Sequence, residues 1–233
     1  MKKIKQLYRY TNEKLVDAYN RVAIEVYMLS QKKGYKFFSI CGSEAQTGTT
    51  SVAINLAIAL SMAGWKTLLI DADMYKENKR LNNDVEYGLA EYLEGSKDYQ
   101  DVICETEYSS LDYLPGGNKN SNPIGLLCSN KLPELIHNVN EQYDYVIWDL
   151  PSVLEATDTK VVCAKTDATI LVASQYASIE LLKEAKESIE NAGGNVVGVI
   201  GNKLEQSEYN HYRKVFRKRK VKSTKKKMEE NRR

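Results

Sequence analysis

The sequence predicts an α/β fold with a mostly parallel sheet sandwiched by helices, and three observations carry the prediction. Short continuous apolar runs alternate with longer stretches of helical periodicity, the pattern of strands buried on both faces. Two of those runs end in aspartate, Lys66–Asp71 (KTLLID) and Tyr143–Asp149 (YDYVIWD). A third, Phe37–Cys41, leads through SEAQTGTTS at 43–51 into a long apolar helical pattern from Val52 to Ala63. A chain of 233 residues, 42% hydrophobic and 27% charged, can bury one core of this kind, so a single domain is expected.

The elements follow in order. An amphipathic stretch from about Asn12 to Gln31 carries Leu15, Ala18, Tyr19, Val22, Ala23, Val26 and Met28 near helical spacing, and Lys32-Lys33-Gly34 ends it. Strand Phe37–Cys41, the 43–51 turn and the Val52–Ala63 helix come next, and Gly64 closes that helix. Lys66–Asp71 reads as a buried strand, Tyr87–Leu93 as a short helix and Leu111–Leu114 as a strand. Pro133–Gln142 is predicted to be a helix feeding the strand Tyr143–Asp149. Two further strands, Ala168–Ser174 and Asn195–Ile200, flank a helix at Ser178–Ala192. That helix sets Ile179, Leu182, Ala185 and Ile189 on one side, with Gly193-Gly194 as its stop. The predicted organisation is an N-terminal helical segment (1–34), a core (35–206) and a basic, disordered tail (207–233). In such sheets ligands bind beyond the carboxyl ends of the strands.

The 43–51 turn has the strand, turn and helix context of a phosphate-binding loop, because a helix N-terminus offers unpaired N–H groups and a positive dipole end. Against the pattern G-x-x-x-x-G-K-[ST], Gly48 is the second glycine and Thr50 the metal-ligand hydroxyl, with Ser51 following. Ser43 stands at the first glycine and Thr49 at the lysine. A preorganised donor aimed at transition-state charge supplies about 3–4 kcal/mol, so loss of the lysine predicts turnover slower by roughly a hundred- to a thousandfold. Lys76, or a lysine from a neighbouring subunit, is the candidate to fill the place. The loop amides and the helix dipole remain, which predicts weak binding of a Mg²⁺-nucleotide, with ATP and Mg²⁺ as the cofactors.

Asp71, Asp73 and Asp149 close or follow apolar strands at the edge where this loop opens. One such aspartate alone commonly caps a turn; three beside a phosphate loop point to a metal-nucleotide site. Thr50 is expected to ligate Mg²⁺ and Asp149 to orient a metal-bound water, while Asp71 or Asp73 binds metal or accepts a proton from an incoming hydroxyl. Spacing leaves open which of that pair is the base. Asn202, just past the last strand, reads either as facing the adenine or as a turn asparagine.

Charge and cysteine usage narrow the rest. Cys41, Cys104, Cys128 and Cys163 show no C-x-x-C spacing, and His137 and His211 lie far apart, so neither a zinc site nor a disulfide framework is suggested and reduced thiols are expected. No apolar run approaches the roughly 18–20 residues of a membrane span, and no signal-peptide core follows Met1, so a cytoplasmic protein is expected. Arg213–Arg233 holds 12 Lys or Arg against Glu229 and Glu230, leaving 21 basic and 29 acidic residues elsewhere. That arm is read as held at an anionic membrane surface, at about 1 kcal/mol per basic residue near it, rather than on nucleic acid.

Several segments carry a family resemblance. LLIDADMYK at 68–76 resembles the second acidic motif of the bacterial tyrosine kinases (BY-kinases) of capsule and exopolysaccharide loci, and YDYVIWDLPSVLEATD at 143–158 resembles their Walker B strand and its continuation. YGLAEYLEG at 87–95 and LPGGNKNSNPIGLL at 114–127 resemble family linking segments, so the likeness runs from about 12 to 203 in order. The resemblance implies a cytoplasmic P-loop NTPase that autophosphorylates on tyrosine, forms rings and is switched on by a membrane adaptor, in a cycle controlling polymer length and export. The chain resembles the split arrangement of separate adaptor and kinase.

The departures fall on the chemistry. Thr49 replaces the P-loop lysine and Tyr75 the arginine of the D-x-D-x-R motif. The ring-contact motif is reduced to Asp17 through Ala23 with Arg21 out of register, and the C-terminal tyrosine cluster to Tyr209 and Tyr212, the phosphoacceptor candidates. The expected function is therefore a tyrosine-autokinase-like regulator of polysaccharide synthesis with weakened catalysis. A non-catalytic pseudokinase that binds the adaptor is the alternative. A partitioning-type ATPase fits less well, because Ser43-Glu44 stand where such proteins carry a further lysine.

Overall fold

The computed structural model of the chain describes residues 2–3, 7, 12–75, 86–120 and 122–205. Its first half contains β1 (Lys2–Lys3), α1 (Glu13–Lys33), β2 (Phe37–Gly42), α2 (Thr49–Met62), β3 (Thr67–Asp71), α3 (Leu89–Glu94), α4 (Tyr99–Val102), β4 (Cys104–Glu105) and β5 (Leu111–Leu114). Then come α5 (Pro123–Leu127), α6 (Lys131–Gln142), β6 (Tyr145–Asp149), α7 (Thr159–Cys163), β7 (Ala168–Ser174), α8 (Ile179–Asn191) and β8 (Val196–Asn202). The strands form one sheet in the order β1-β4-β5-β3-β6-β2-β7-β8, parallel except for the β4–β5 pair.

Alternation along the central strands builds the two cores, since successive side chains point to opposite faces. Phe38, Ile40, Leu69, Tyr145 and Ile147 face α2 and α1, whereas Phe37, Cys41, Leu68, Ile70, Val146 and Trp148 face α3, α6, α7 and α8. Helix α2 is buried from Val52 through Ser61 because it lies between the sheet and α1, which explains an apolar pattern with no polar face. Helix α1 covers it with Ala23 and Val26 and leaves Ile24 and Met28 exposed. Asn12 caps its start, accepting the Lys14 N–H, and Gly34 ends it in the left-handed region at φ 75°. On its exposed side Arg21 pairs with Asp17 at 2.7 Å.

Local chemistry moved several predicted boundaries. Helix α3 starts at Leu89, not Tyr87, because Gly88 lies against the Pro115 carbonyl, which accepts the Leu89 N–H at 2.7 Å. Helix α6 begins at Lys131 and holds Pro133 within its first turn, where a missing N–H costs little. Strand β6 begins at Tyr145, after Asp144, whose carboxylate accepts the Lys66 N–H. The strands β1 and β4 and the short helices α4, α5 and α7 were not anticipated. The N-terminal segment is not helix alone, since β1 pairs with β4 and buried Leu7 donates its N–H to Glu107. Cys41, Cys104 and Cys163 are buried and Cys128 is exposed, and none of the four is in a disulfide. No helix among the described residues is long and apolar enough to cross a membrane. The basic tail, with Tyr209, His211 and Tyr212, and Lys76 lie outside the described residues.

Candidate nucleotide-binding site

Strand register brings the carboxylates together. Asp71 and Asp149 are paired Cα partners across β3 and β6, and Asp149 is also the partner of Ile40 on β2, the strand that feeds the 43–51 loop. Ala72 donates its N–H to the Asp149 carbonyl at 2.9 Å, and Asp73 donates its N–H to Asp71 Oδ1 at 3.0 Å. Asp73 and Asp149 are buried. Among the described residues no three His, Cys, Asp or Glu side chains are grouped to hold a metal ion by themselves. These carboxylates alone thus make no protein metal cage, and Mg²⁺ is generally held by one or two carboxylates together with phosphate and water oxygens.

Two tyrosines support the acidic edge. Tyr113, on β5 next to β3, donates its hydroxyl to Asp71 Oδ2 at 3.3 Å. Burial, then the Asp71 charge, holds this phenol well above its ordinary pKa, so it remains a donor. Tyr75, at the family's arginine position, donates to Asp158 Oδ1 at 2.8 Å; desolvation first and this hydrogen bond second push it to about 12. Asp158 is buried, so the bond ties the acidic motif to the segment following β6.

The loop is built from tight backbone. Gly48 has φ 88°, left-handed, and a Cβ there would collide with the Asn202 amide. Helix α2 then starts at Thr49, with no side-chain cap and no acidic residue in its first turn. Its N-terminal amides and dipole thus fit an anionic ligand. The segment after Asp149 holds the loop's entry: Val153 N–H donates to the Gly42 carbonyl at 3.0 Å and Ser152 Oγ to the Ser43 carbonyl at 2.8 Å.

The lysine position is turned inward. Thr47 and Thr49 hydroxyls are hydrogen-bonded at 3.1 Å, and both reach back over Gly42. Ala45 donates its N–H to Glu155 at 3.1 Å. From the end of β8, Asn202 Nδ2 donates to the Thr47 carbonyl at 2.9 Å and Lys203 Nζ to the Gln46 carbonyl at 2.6 Å. The Asn202 amide is therefore directed at the loop itself.

Gly48, Thr49, Thr50 and Ser51 thus share the loop and the first turn of α2, Asp149 ends the adjacent strand, and Asp71 and Asp73 lie one strand further. Sequence reasoning missed Tyr113, Glu155, Asp158 and Lys203. Glu155 and Asp158 lay inside the singled-out segment 143–158 and Lys203 beside Asn202, whereas the Tyr113–Asp71 contact spans 42 residues and had no signal.

Comparison with known proteins agrees with this geometry. The AAA domain family matches residues 36–196. The tyrosine-protein kinase CpsD of Streptococcus agalactiae is 32% identical over 200 residues, covering 81% of this chain and 86% of that protein. The kinase domain of Escherichia coli tyrosine kinase ETK superposes with a TM-score of 0.76 at 26% identity, over 82% of this chain and 78% of that one. The septum site-determining protein MinD from Pyrococcus horikoshii, solved as a complex with Mg-ADP, gives a TM-score of 0.62 at 28% identity, over 74% and 72%. With its loop between β2 and α2 and its paired aspartates on β3 and β6, the chain belongs to the bacterial tyrosine kinase family of P-loop NTPases.

Proposed function

We propose that this protein is a cytoplasmic tyrosine-autokinase-like regulator of capsular or exopolysaccharide synthesis and export, acting with a membrane adaptor, whose loop binds Mg-ATP and whose turnover is weakened. One observation carries the reading: β6 lies between β2 and β3, so Asp149 stands between the phosphate loop and Asp71. The α2 amides would hold the phosphates, and Thr50, Asp71 and Asp149 would hold the metal. Bound Mg²⁺ supplies neutralisation of phosphate charge. Asp71 or Asp73 accepts the proton of the incoming hydroxyl, with Tyr113 fixing the Asp71 carboxylate. The exposed Ile24 and Met28 of α1 support self-association, and the basic tail supports a peripheral position at the inner membrane face.

The test is phosphotyrosine on the purified protein after incubation with Mg-ATP, with bound nucleotide measured in parallel. Signal that Asp149→Ala abolishes is the expected result. Bound nucleotide with no phosphotyrosine would sink the kinase reading in favour of a pseudokinase that docks the adaptor without turnover. The Thr47–Thr49 hydroxyl pair at the lysine position favours that second reading. The partitioning-type ATPase has only the shared fold behind it.

A further inference from the structure

We infer that Lys203 supplies the positive charge for bound nucleotide phosphate that Thr49 does not, so that the loop's cation comes from the end of β8 instead of the start of α2. The inference rests on the loop's taking a nucleotide. Lys203 Nζ donates to the Gln46 carbonyl at 2.6 Å, within the loop, and its Cε lies 3.7 Å from where a Cβ on Gly48 would stand. A second observation is independent of the side chain. Among the described residues, the non-glycine positions with positive φ are Gln46, at 60°, and Lys203, at 54°, the two partners of this contact. Such backbone is unfavourable for side-chain-bearing residues and persists where the surroundings impose it.

The neighbouring contacts have the same direction. Asn202 donates to the Thr47 carbonyl, and Gly48 admits the Asn202 amide by lacking a Cβ. The turn after β8 is thereby fixed against the loop, and the Lys203 ammonium is delivered to it on an exposed stem that is free to follow a ligand. A lysine is suited to this as a mobile point charge with three donors. Glu155, which accepts the Ala45 N–H, is an anion at the loop and would oppose phosphate, a charge that the Lys203 ammonium offsets.

The experiment is calorimetric titration of Mg-ADP, and of adenosine as the phosphate-free control, into the full chain. Four variants are compared with it: Lys203→Ala, Lys203→Arg, Thr49→Lys, and Thr49→Lys with Lys203→Ala. Lys203→Ala should weaken Mg-ADP by about tenfold, the scale of one charge-assisted contact. Lys203→Arg should retain most of the affinity and adenosine binding should not change. In the Thr49→Lys background the Lys203→Ala loss should shrink to less than about threefold, because the charge is then supplied twice. An equal loss in both backgrounds would reduce Lys203 to a brace of the loop and overturn the inference. So would no loss in the native background. A native chain that binds neither ligand would instead overturn the nucleotide reading of the loop, and this inference with it. Lys203 is exposed, and matching thermal melts would confirm that each variant is folded.

Discussion

The acidic edge and the phosphate loop sit on adjacent strands yet are held in different ways. Asp71 and Asp149 are positioned by the registers of β3, β6 and β2, the centre of the sheet, where Ile40, Ile70 and Trp148 are fully buried. The loop is positioned by side chains that arrive from elsewhere: Ser152, Glu155, Asn202 and Lys203. Core packing resists change at the first region, because moving Asp149 means moving a buried strand. At the second, single side-chain replacements alter charge and shape without touching the core. A family sequence can therefore lose its loop lysine while keeping every aspartate.

The largest expected effect lies on the loop. Thr49→Lys should raise phosphotransfer by about a hundred- to a thousandfold if the acidic edge is intact, measured as initial phosphotyrosine formation. No gain, in a protein that still binds Mg-ADP, would show that the defect has spread beyond the loop. Gly48→Ala should destabilise by about 1–3 kcal/mol, since it forces a side chain into the left-handed region and against Asn202. Chemical denaturation reads this directly, and an unchanged midpoint would mean that the Gly48–Asn202 approach is not maintained in solution.

On the acidic side the expected effects are smaller. Tyr113→Phe keeps the buried volume and removes the donor to Asp71, at a cost of about 1–2 kcal/mol in stability or in transition-state stabilisation. If it shifts neither the denaturation midpoint nor the rate, Asp71 is held by the backbone alone. Tyr75→Phe is the mildest. Its phenol has a pKa of about 12 when folded against an ordinary 10, so the bond to Asp158 is fully present below pH 10 and is lost as pH rises through about 12. The variant should lose that alkaline step in a stability-against-pH profile and otherwise behave as the native chain.

What the sequence revealed follows the same division. Strands β3 and β6 were legible because each is a continuous apolar run ending in Asp, and α2 because it is apolar from Val52 to Ala63. The candidate carboxylates were legible with them, since a strand's last residue is fixed once the strand is. Strand β1 was not, because Lys2–Lys3 has no apolar pattern and exists as a strand only through its pairing with Cys104–Glu105. Helices α5 and α7, five residues each, are too short to show a period. Tyr113, Asp158 and Lys203 were missed for a further reason: each acts across a contact between distant segments, which local pattern does not encode. Asn202 was singled out by position, but the direction of its amide, onto Thr47, needed coordinates.

The place of β6 in the sheet has a consequence for how the molecule is made. Strands β2 and β3 do not touch each other, since each pairs with β6 from opposite sides. A ribosome that has released residues up to Gln142 has therefore produced the loop and Asp71 with a strand-wide gap between them, and insertion of Tyr145–Asp149 closes it in one step. Nascent chains shorter than this have no assembled site, so any ligand bound between the loop and Asp71 would stabilise the protein only late in synthesis.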